Sequence, residues 1–223
     1  MTTGKLCWEH KGAKMDKKFK VLMINGSPRK NGNIAVAFSE MEKVFEENGV
    51  EYENILLGTS PIRGCIACES CRKTGKCVFD DKVNELSAKF EEADGFVVGS
   101  PVYYGSANGT LLSALQRMFY SSHFDKSLKV GASVVSARRS GCTATFDELN
   151  RFFTLSNMPV ATSQYWNNIY GWEPGEGRVD AEGCQVMRVL ARNMVFLMKS
   201  IELGKKEIGL PETEPRVWTN FPR

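Results

Sequence analysis

Short apolar runs alternate with segments of helical spacing along most of the chain, and this alternation constrains the fold more than any other feature. The segments between the runs place apolar side chains three or four positions apart, as on the buried face of a helix. The first such face carries Ile34, Phe38, Met41 and Phe45. The apolar runs themselves have the length and the boundaries of buried strands, and they occupy residues 19–25, 50–57, 95–100, 129–137 and 159–166.

Five strands alternating with five helices predict an α/β fold, because parallel neighbouring strands need a crossover connection, usually a helix. We expect a flavodoxin-like three-layer sandwich, with a five-stranded parallel sheet of order 2-1-3-4-5 and helices on both faces. The domain should span residues 19–205, preceded by an arm of residues 1–18 and followed by a tail of residues 206–223. Because these arms carry the aromatic residues Trp8 and Trp218 beyond a complete core, we predict a homodimer or homotetramer.

Charge and hydropathy argue against several classes of partner. The net charge is +3 without a basic stripe, so we expect no nucleic-acid partner. No apolar run approaches the ~20 residues that cross a bilayer, so we expect no membrane association. Residues 1–20 are charged and lack the apolar segment of a secretory signal, so we expect a cytoplasmic protein.

The loop that follows the first strand has the composition of a phosphate site. Residues 25–33, NGSPRKNGN, lead from the strand into a helix, and their two glycines let the backbone curl. Ser27 and Asn33 offer polar side chains, Arg29 offers a charged donor, and the helix N-terminus adds unpaired N–H groups. The loop is neither a Walker loop nor a G-x-G-x-x-G fingerprint. A polar turn that only caps the helix is the alternative.

Two further loops should lie at the same edge of the sheet, because ligands of such folds bind beyond the carboxyl ends of the strands. After the third strand, a turn stiffened by Pro101 offers apolar and aromatic surface to a flat ligand, through Val102, Tyr103 and Tyr104. Packing of both tyrosines under the loop is the alternative. After the fourth strand, residues 136–143 carry two arginines and Gly141, which could bind a ring carbonyl, a phosphate or only solvent.

At these separations the segments GSPRKNGN and SPVYYG, together with a run of cysteines, resemble the NADPH-dependent FMN reductase group of flavodoxin-like proteins. Within that group they resemble the iron–sulfur flavoprotein branch. The resemblance implies FMN as the cofactor, with its phosphate held by Ser27, Arg29, Asn33 and Ile34. It implies that the isoalloxazine ring is lined by Pro101, Val102, Tyr103, Tyr104 and Gly105, and that the site is closed by Ala137, Arg138 and Gly141. It also implies homodimers or homotetramers with the flavin near a subunit interface.

Four of the seven cysteines lie in one short run, GCIACESCRKTGKC, as Cys65, Cys68, Cys71 and Cys77. Zinc sites of four cysteines usually consist of two separated C-x2-C pairs, whereas three closely spaced cysteines followed by a fourth are closer to iron–sulfur ligation. The run follows the second strand and should reach the edge that carries the flavin loops. We therefore predict a [4Fe–4S] cluster in the loop of residues 64–78. Reduced redox thiols or an adventitious disulfide are the alternatives. The remaining cysteines are expected to be packing residues: Cys7, Cys142 and Cys184.

The sequence thus predicts an FMN-dependent oxidoreductase. NAD(P)H, or a reduced partner such as ferredoxin, would supply electrons, and a small-molecule acceptor would receive them. Because a flavin carries the redox chemistry itself, no side chain is predicted to be catalytic. Two other classes stay open: an electron-transfer carrier without a dedicated small-molecule substrate, and a non-redox module that binds a nucleotide or another protein.

Overall fold

Five strands form the centre of the structure, a computed structural model that describes residues 17–219. They are β1 (Lys20–Asn25), β2 (Glu51–Leu56), β3 (Gly95–Pro101), β4 (Val130–Ala137) and β5 (Asn168–Tyr170). All neighbouring strands are parallel, and their order in the sheet is β2-β1-β3-β4-β5. The predicted flavodoxin-like sheet is therefore confirmed, because this is the strand order that defines it.

Helices cover both faces of the sheet. They are α1 (Asn33–Glu47), α2 (Cys71–Thr74), α3 (Lys82–Glu92), α4 (Gly109–Ser121), α5 (Cys142–Leu155) and α6 (Ala181–Glu207), with a 3₁₀ turn at Glu176–Val179. The strands have a period of two, so alternate residues of β1 enter different cores. Val21 and Met23 pack in the core formed with α1 and α6, whereas Leu22 and Ile24 pack in the core formed with α3, α4 and α5.

The last strand does not lie where the sequence pattern placed it. Of the predicted residues 159–166, only Val160 pairs with the sheet, through a single bridge to Gly131. Tyr165 and Trp166 are residue types that are common in strands, and they contribute to the predicted strand. Both are about half exposed, and they contact each other with ring centroids 5.4 Å apart. The chain rejoins the sheet at β5, where Ile169 is fully buried.

The described residues include most of the predicted C-terminal tail but little of the predicted N-terminal arm. Residues 1–16 of the predicted arm, with Trp8 and Cys7, lie outside the described residues. Helix α6 ends at Glu207, two residues after the predicted end of the domain, and residues 208–219 of the tail are exposed. Among residues 17–219, no helix is both long enough and apolar enough to cross a membrane.

Candidate functional site

The loop between β1 and α1 is held in a curled conformation by its own polar groups. Asn25 Oδ1 accepts a hydrogen bond from the Ser27 N–H at 2.9 Å, and Ser27 Oγ accepts one from the Arg29 N–H at 3.1 Å. The Gly32 N–H closes the turn by donating to the Arg29 carbonyl at 3.1 Å. Helix α1 then begins at Asn33, and its first turn contains no acidic residue. Its unpaired N–H groups and positive dipole end therefore open onto this loop, as an anion site requires.

The loop after β3 is a short hairpin whose tip is a tyrosine. The Tyr103 N–H and the Ser106 N–H donate to each other's carbonyl at 2.9 and 3.1 Å. The two residues between them, Tyr104 and Gly105, both have positive φ, as in a type I′ turn. Glu148 of α5 supports the hairpin, because one carboxylate oxygen accepts from the Ser106 hydroxyl and from the Ala107 N–H, both at 2.8 Å. The hairpin is thus fixed at its base and exposes Tyr104 at its tip.

The loops after β4 and β5 contact the first two loops. Gly141, at φ 90°, precedes α5, and a Cβ there would lie 2.8 Å from Val102 Cγ1, so only glycine fits against the hairpin. The Gly171 N–H donates to the Ala137 carbonyl at 3.1 Å, which extends the pairing of β5 with β4 beyond Tyr170. A Cβ at Gly171 would lie 2.7 Å from Asn33 Nδ2, so the β5 loop closely approaches the start of α1.

Trp172 and Arg138 form one wall of the site together. The Arg138 guanidinium lies 4.6 Å from the centroid of the Trp172 ring, a cation–π contact. Glu176 fixes the backbone of this loop, because its carboxylate accepts from the Trp172 N–H at 2.6 Å and from the Glu173 N–H at 2.8 Å. These two backbone hydrogen bonds lower the pKa of Glu176, so the carboxylate stays ionised near neutral pH.

These loops enclose a cleft of ≈ 350 Å³ at the carboxyl ends of the strands, within the range of small-molecule sites. Eight of the predicted cofactor residues line it: Ser27, Arg29, Asn33, Pro101, Val102, Tyr103, Ala137 and Arg138. The other four do not line it. Ile34 is buried in the core, so only its backbone N–H could reach a ligand, and Tyr104 and Gly105 lie at the exposed hairpin tip. Gly141 acts indirectly, because it packs against Val102 and Gly105.

The sequence pattern missed the loop after β5, which contributes Gly171, Trp172, Glu173 and Pro174 to the cleft. The Gly177 N–H also donates to Asn33 Oδ1 at 3.0 Å, so this segment is tied to the start of α1 across 144 residues of sequence. The segment YGWEPGEG is rich in turn residues and follows a strand, which was the available signal. The sequence pattern does not mark it as part of the site, because the apolar run at residues 159–166 predicts a fifth strand that ends before this segment.

The four clustered cysteines line one common cavity, of ≈ 20 Å³, between the loop after β2 and helix α4. Cys71 is buried, Cys77 is half-buried, and Cys65 and Cys68 are exposed. The described cysteines are all free thiols. Within residues 17–219, no three His, Cys, Asp or Glu side chains are grouped closely enough to hold a metal ion. The cavity as it stands has about the size of one water molecule.

Hydrogen-bond donors nevertheless point at three of the four sulfurs. The Ala67 N–H donates to Cys65 Sγ at 3.4 Å, and Arg117 Nε donates to Cys77 Sγ at 3.2 Å. The backbone N–H and the hydroxyl of Ser70 lower the pKa of the exposed Cys68 thiol by hydrogen bonding. Ala67 and Glu69, which flank Cys68, both have positive φ, which non-glycine residues rarely adopt. Such donors complement negative charge on sulfur, and residues in rarely adopted conformations cluster at functional sites.

The fold and the cleft together define a flavodoxin-like protein with an uncapped helix N-terminus and an aromatic wall at the switch point of the sheet, the class of the flavoproteins. Residues 19–173 match the family model described as NADPH-dependent FMN reductase. The chain belongs to this family, and it is a flavoprotein oxidoreductase of the FMN-binding kind.

Individual relatives support this membership. The chain is 32% identical to an iron–sulfur flavoprotein of Methanocaldococcus jannaschii, over 82% of this chain and 99% of the relative. It is 28% identical to an iron–sulfur flavoprotein of Methanosarcina thermophila, over 83% of this chain and 98% of the relative. Among solved structures, an NAD(P)H:quinone oxidoreductase from Methanothermobacter marburgensis superposes with a TM-score of 0.62 at 14% identity, covering 80% of this chain and 96% of the other. At that identity the superposition supports the fold alone.

Proposed function

We propose that the protein is an FMN-dependent NAD(P)H oxidoreductase, similar to flavin and quinone reductases, that relays electrons through an iron–sulfur cluster held by its four clustered cysteines. One observation carries the proposal. In a chain of the FMN reductase family, four loops converge at the carboxyl ends of the strands on a cleft that pairs an anion site with aromatic surface. Bound FMN would supply the redox chemistry there, since a flavin exchanges one or two electrons.

The residues of the phosphate loop would hold the FMN phosphate. Ser27 Oγ is fixed by its hydrogen bond from the Arg29 N–H, the first N–H groups of α1 have no side-chain cap, and Arg29 adds an exposed guanidinium. Charge-assisted hydrogen bonds of this kind are the strong ones. The loop offers a cradle for one phosphate and has no pyrophosphate fingerprint, which favours FMN over a dinucleotide.

The hairpin after β3 and the pair of Arg138 and Trp172 would enclose the isoalloxazine ring. Val102 and Tyr103 give apolar contact, while Arg138 brings a positive charge to the same cleft. The role of these residues is to bind and orient the cofactor and to exclude water from its ring.

The four cysteines fit an iron–sulfur cluster by the chemistry of their donor set. In a [4Fe–4S] cluster four thiolates surround the cluster instead of converging on one ion, and here four thiols surround one cavity. The N–H donors at Cys65 and Cys77 suit thiolate sulfur, which carries negative charge. Cys65, Cys68, Cys71 and Cys77 would hold the cluster, which would supply one-electron transfer when bound. A cytoplasmic location, which we propose with this function, would keep the thiols reduced.

An electron-transfer carrier without a dedicated small substrate is the second candidate. The cysteine cavity favours it, because a cluster bound there would give electrons a second site outside the flavin cleft. In that case a reduced protein such as ferredoxin would be the donor. Continuous oxidation of NADPH or NADH by the purified protein with a quinone separates the two, since a carrier oxidises neither without a partner reductase.

The test is a spectrum and an iron assay on protein purified without oxygen. We expect one FMN and about four irons per chain, from the cluster stoichiometry. Cys77→Ser should lose most of the iron but keep FMN, because the cysteine loop and the cleft use different residues. Cys184→Ser, at a buried cysteine of α6, is the matched control and should change neither. Full FMN without iron would refute the cluster, and protein that ignores added FMN would refute the function.

A further inference from the structure

Arg117 is a buried cation that lines the cysteine cavity. It lies in the middle of α4 with 1% of its surface exposed, and it is among the largest fully buried side chains of the described residues. Burying an unpaired charge is costly, so such a residue needs partners for its charge and for its N–H donors. Its partners therefore indicate its task.

The guanidinium uses its terminal nitrogens on groups other than the cysteines. Arg117 Nη1 and Nη2 form a fork with the carboxylate of Asp81, at 2.6 and 2.9 Å. Nη1 also donates to the Arg63 carbonyl at 3.1 Å, at the start of the cysteine loop. The Asp81 pair already balances the charge, so ion pairing alone does not account for the contact that Nε–H makes.

The Nε–H group of Arg117 points at sulfur. Arg117 Nε lies 3.2 Å from Cys77 Sγ, which is a short distance for a hydrogen bond to sulfur. The backbone of Cys77 is fixed as well, because its N–H donates to Asn84 Oδ1 at 2.8 Å and its carbonyl accepts from Asn84 Nδ2 at 2.9 Å. Cys77 is thus held by α3 through its backbone and by α4 through its sulfur.

We propose that Arg117 is a positioning residue for the iron–sulfur cluster, whose Nε–H fixes the sulfur of the fourth ligand, Cys77, and raises the reduction potential of the cluster. This inference rests on the cluster of the proposed function. Reduction adds negative charge to a cluster, and hydrogen bonds to its sulfurs are among the factors that set its potential. A donor fixed at Cys77 therefore stabilises the reduced form.

The experiment measures iron content, melting temperature and the cluster midpoint potential in anaerobic wild-type protein and three variants. Arg117→Met removes the donor and leaves the Asp81 charge. The one-electron equilibrium should then shift about tenfold toward the oxidised cluster, which lowers the midpoint potential by about 59 mV. Asp81→Asn breaks the same ion pair but leaves the Arg117 donor and charge, so the potential should stay or rise. The double variant Arg117→Met with Asp81→Asn keeps the charge balanced and removes both members of the buried pair, which protects folding. Its potential should still lie below the wild-type value.

If Arg117 had only a structural role, the experiment would give a different result. The two single variants would then lose stability and iron alike, and the potential of the cluster that remains would not move. That result, or a double variant with the wild-type potential, would overturn the proposal for Arg117 while leaving the cluster in place. Iron loss in Arg117→Met with iron retained in Asp81→Asn would support it. Wild-type protein without iron would overturn the cluster and this inference together.

Discussion

Arg29 and Arg138 line the same cleft from different loops, and their surroundings give them different tasks. The Arg29 backbone is held on both sides, by Ser27 Oγ and by Gly32, so its exposed side chain leaves the phosphate loop from a fixed point. Arg138 instead lies against the ring of Trp172. Such a contact contributes about 0.5–2 kcal/mol and also limits where the guanidinium can go. We therefore expect Arg29 to bind the phosphate and Arg138 to close the ring end of the cleft.

Arg29→Ala should weaken FMN binding without unfolding the protein. A hydrogen bond to a charged group contributes about 1.5–3 kcal/mol, which corresponds to a rise in Kd of about ten- to a hundredfold. Fluorescence titration of FMN into apoprotein measures this change. Lys30→Ala is the matched control, since Lys30 is an exposed neighbouring cation that does not line the cleft. An equal loss of affinity in both variants would mean that FMN binding depends on the net positive charge of the loop and not on a direct contact with Arg29.

At the scale of elements, α1 and α6 are packed side by side and joined by a partly buried carboxylate. Glu40 of α1 is 9% exposed and forms ion pairs with Arg188 of α6 and with Lys43. Burial acts to raise the pKa of Glu40, but the hydrogen bonds and charges of Lys43 and Arg188 outweigh it and hold the pKa below 4.5. Because α1 begins at the phosphate loop, this pair helps fix the orientation of that helix.

Glu40→Gln should destabilise the protein by about 1–3 kcal/mol at neutral pH, the range for hydrogen bonds to charged groups. A depressed folded-state pKa contributes stability above the unfolded-state pKa and loses it on acidification. The difference between variant and wild type should therefore hold above pH 4.5 and shrink as the pH falls through the lower folded-state value. Urea unfolding across this range measures it. The control Glu47→Gln, at the exposed end of α1, should change stability by less than about 0.5 kcal/mol. A stability difference for Glu40→Gln that does not depend on pH would contradict the lowered pKa of Glu40.

Elements whose signals are local could be predicted from the sequence, and those that depend on distant contacts could not. The four strands up to β4 and the curled loop between β1 and α1 follow from short apolar runs and from the glycines and polar residues beside them. The position of β5 could not be predicted, because residues 159–166 and Asn168–Tyr170 have similar strand signals and only tertiary packing selects between them. Arg117 likewise lies in an ordinary amphipathic helix, and nothing near it in sequence indicates a contact with Cys77.

At the scale of the whole molecule, the described tail exposes apolar side chains that a single chain leaves uncovered. Ile208, Leu210, Val217 and Trp218 are between 67% and 92% exposed. Leu155 of α5 and Phe196 of α6 are also largely exposed. Apolar surface beyond a complete core is typical of contact with another chain. We propose that these residues pack in a homodimer or homotetramer.

Light scattering at micromolar concentration should therefore give two or four times the chain mass of 24.9 kDa. Ending the chain after Glu207 removes the tail without touching α6 and should lower the measured mass while FMN stays bound. Trp218→Ala, a milder change in the full-length chain, should weaken association in the same direction. A monomeric full-length protein would refute the proposal.

The double anchorage of Cys77 sets a condition for transplanting the cysteine loop into another protein of this fold. A graft of residues 58–81 would carry all four thiols, but it would leave behind Asn84 on α3 and Arg117 on α4. The transferable unit is therefore the loop together with two helical positions, one of which, Arg117, lies 40 residues beyond Cys77. A recipient that received only the contiguous segment would have the sulfurs without the scaffold that fixes the fourth of them.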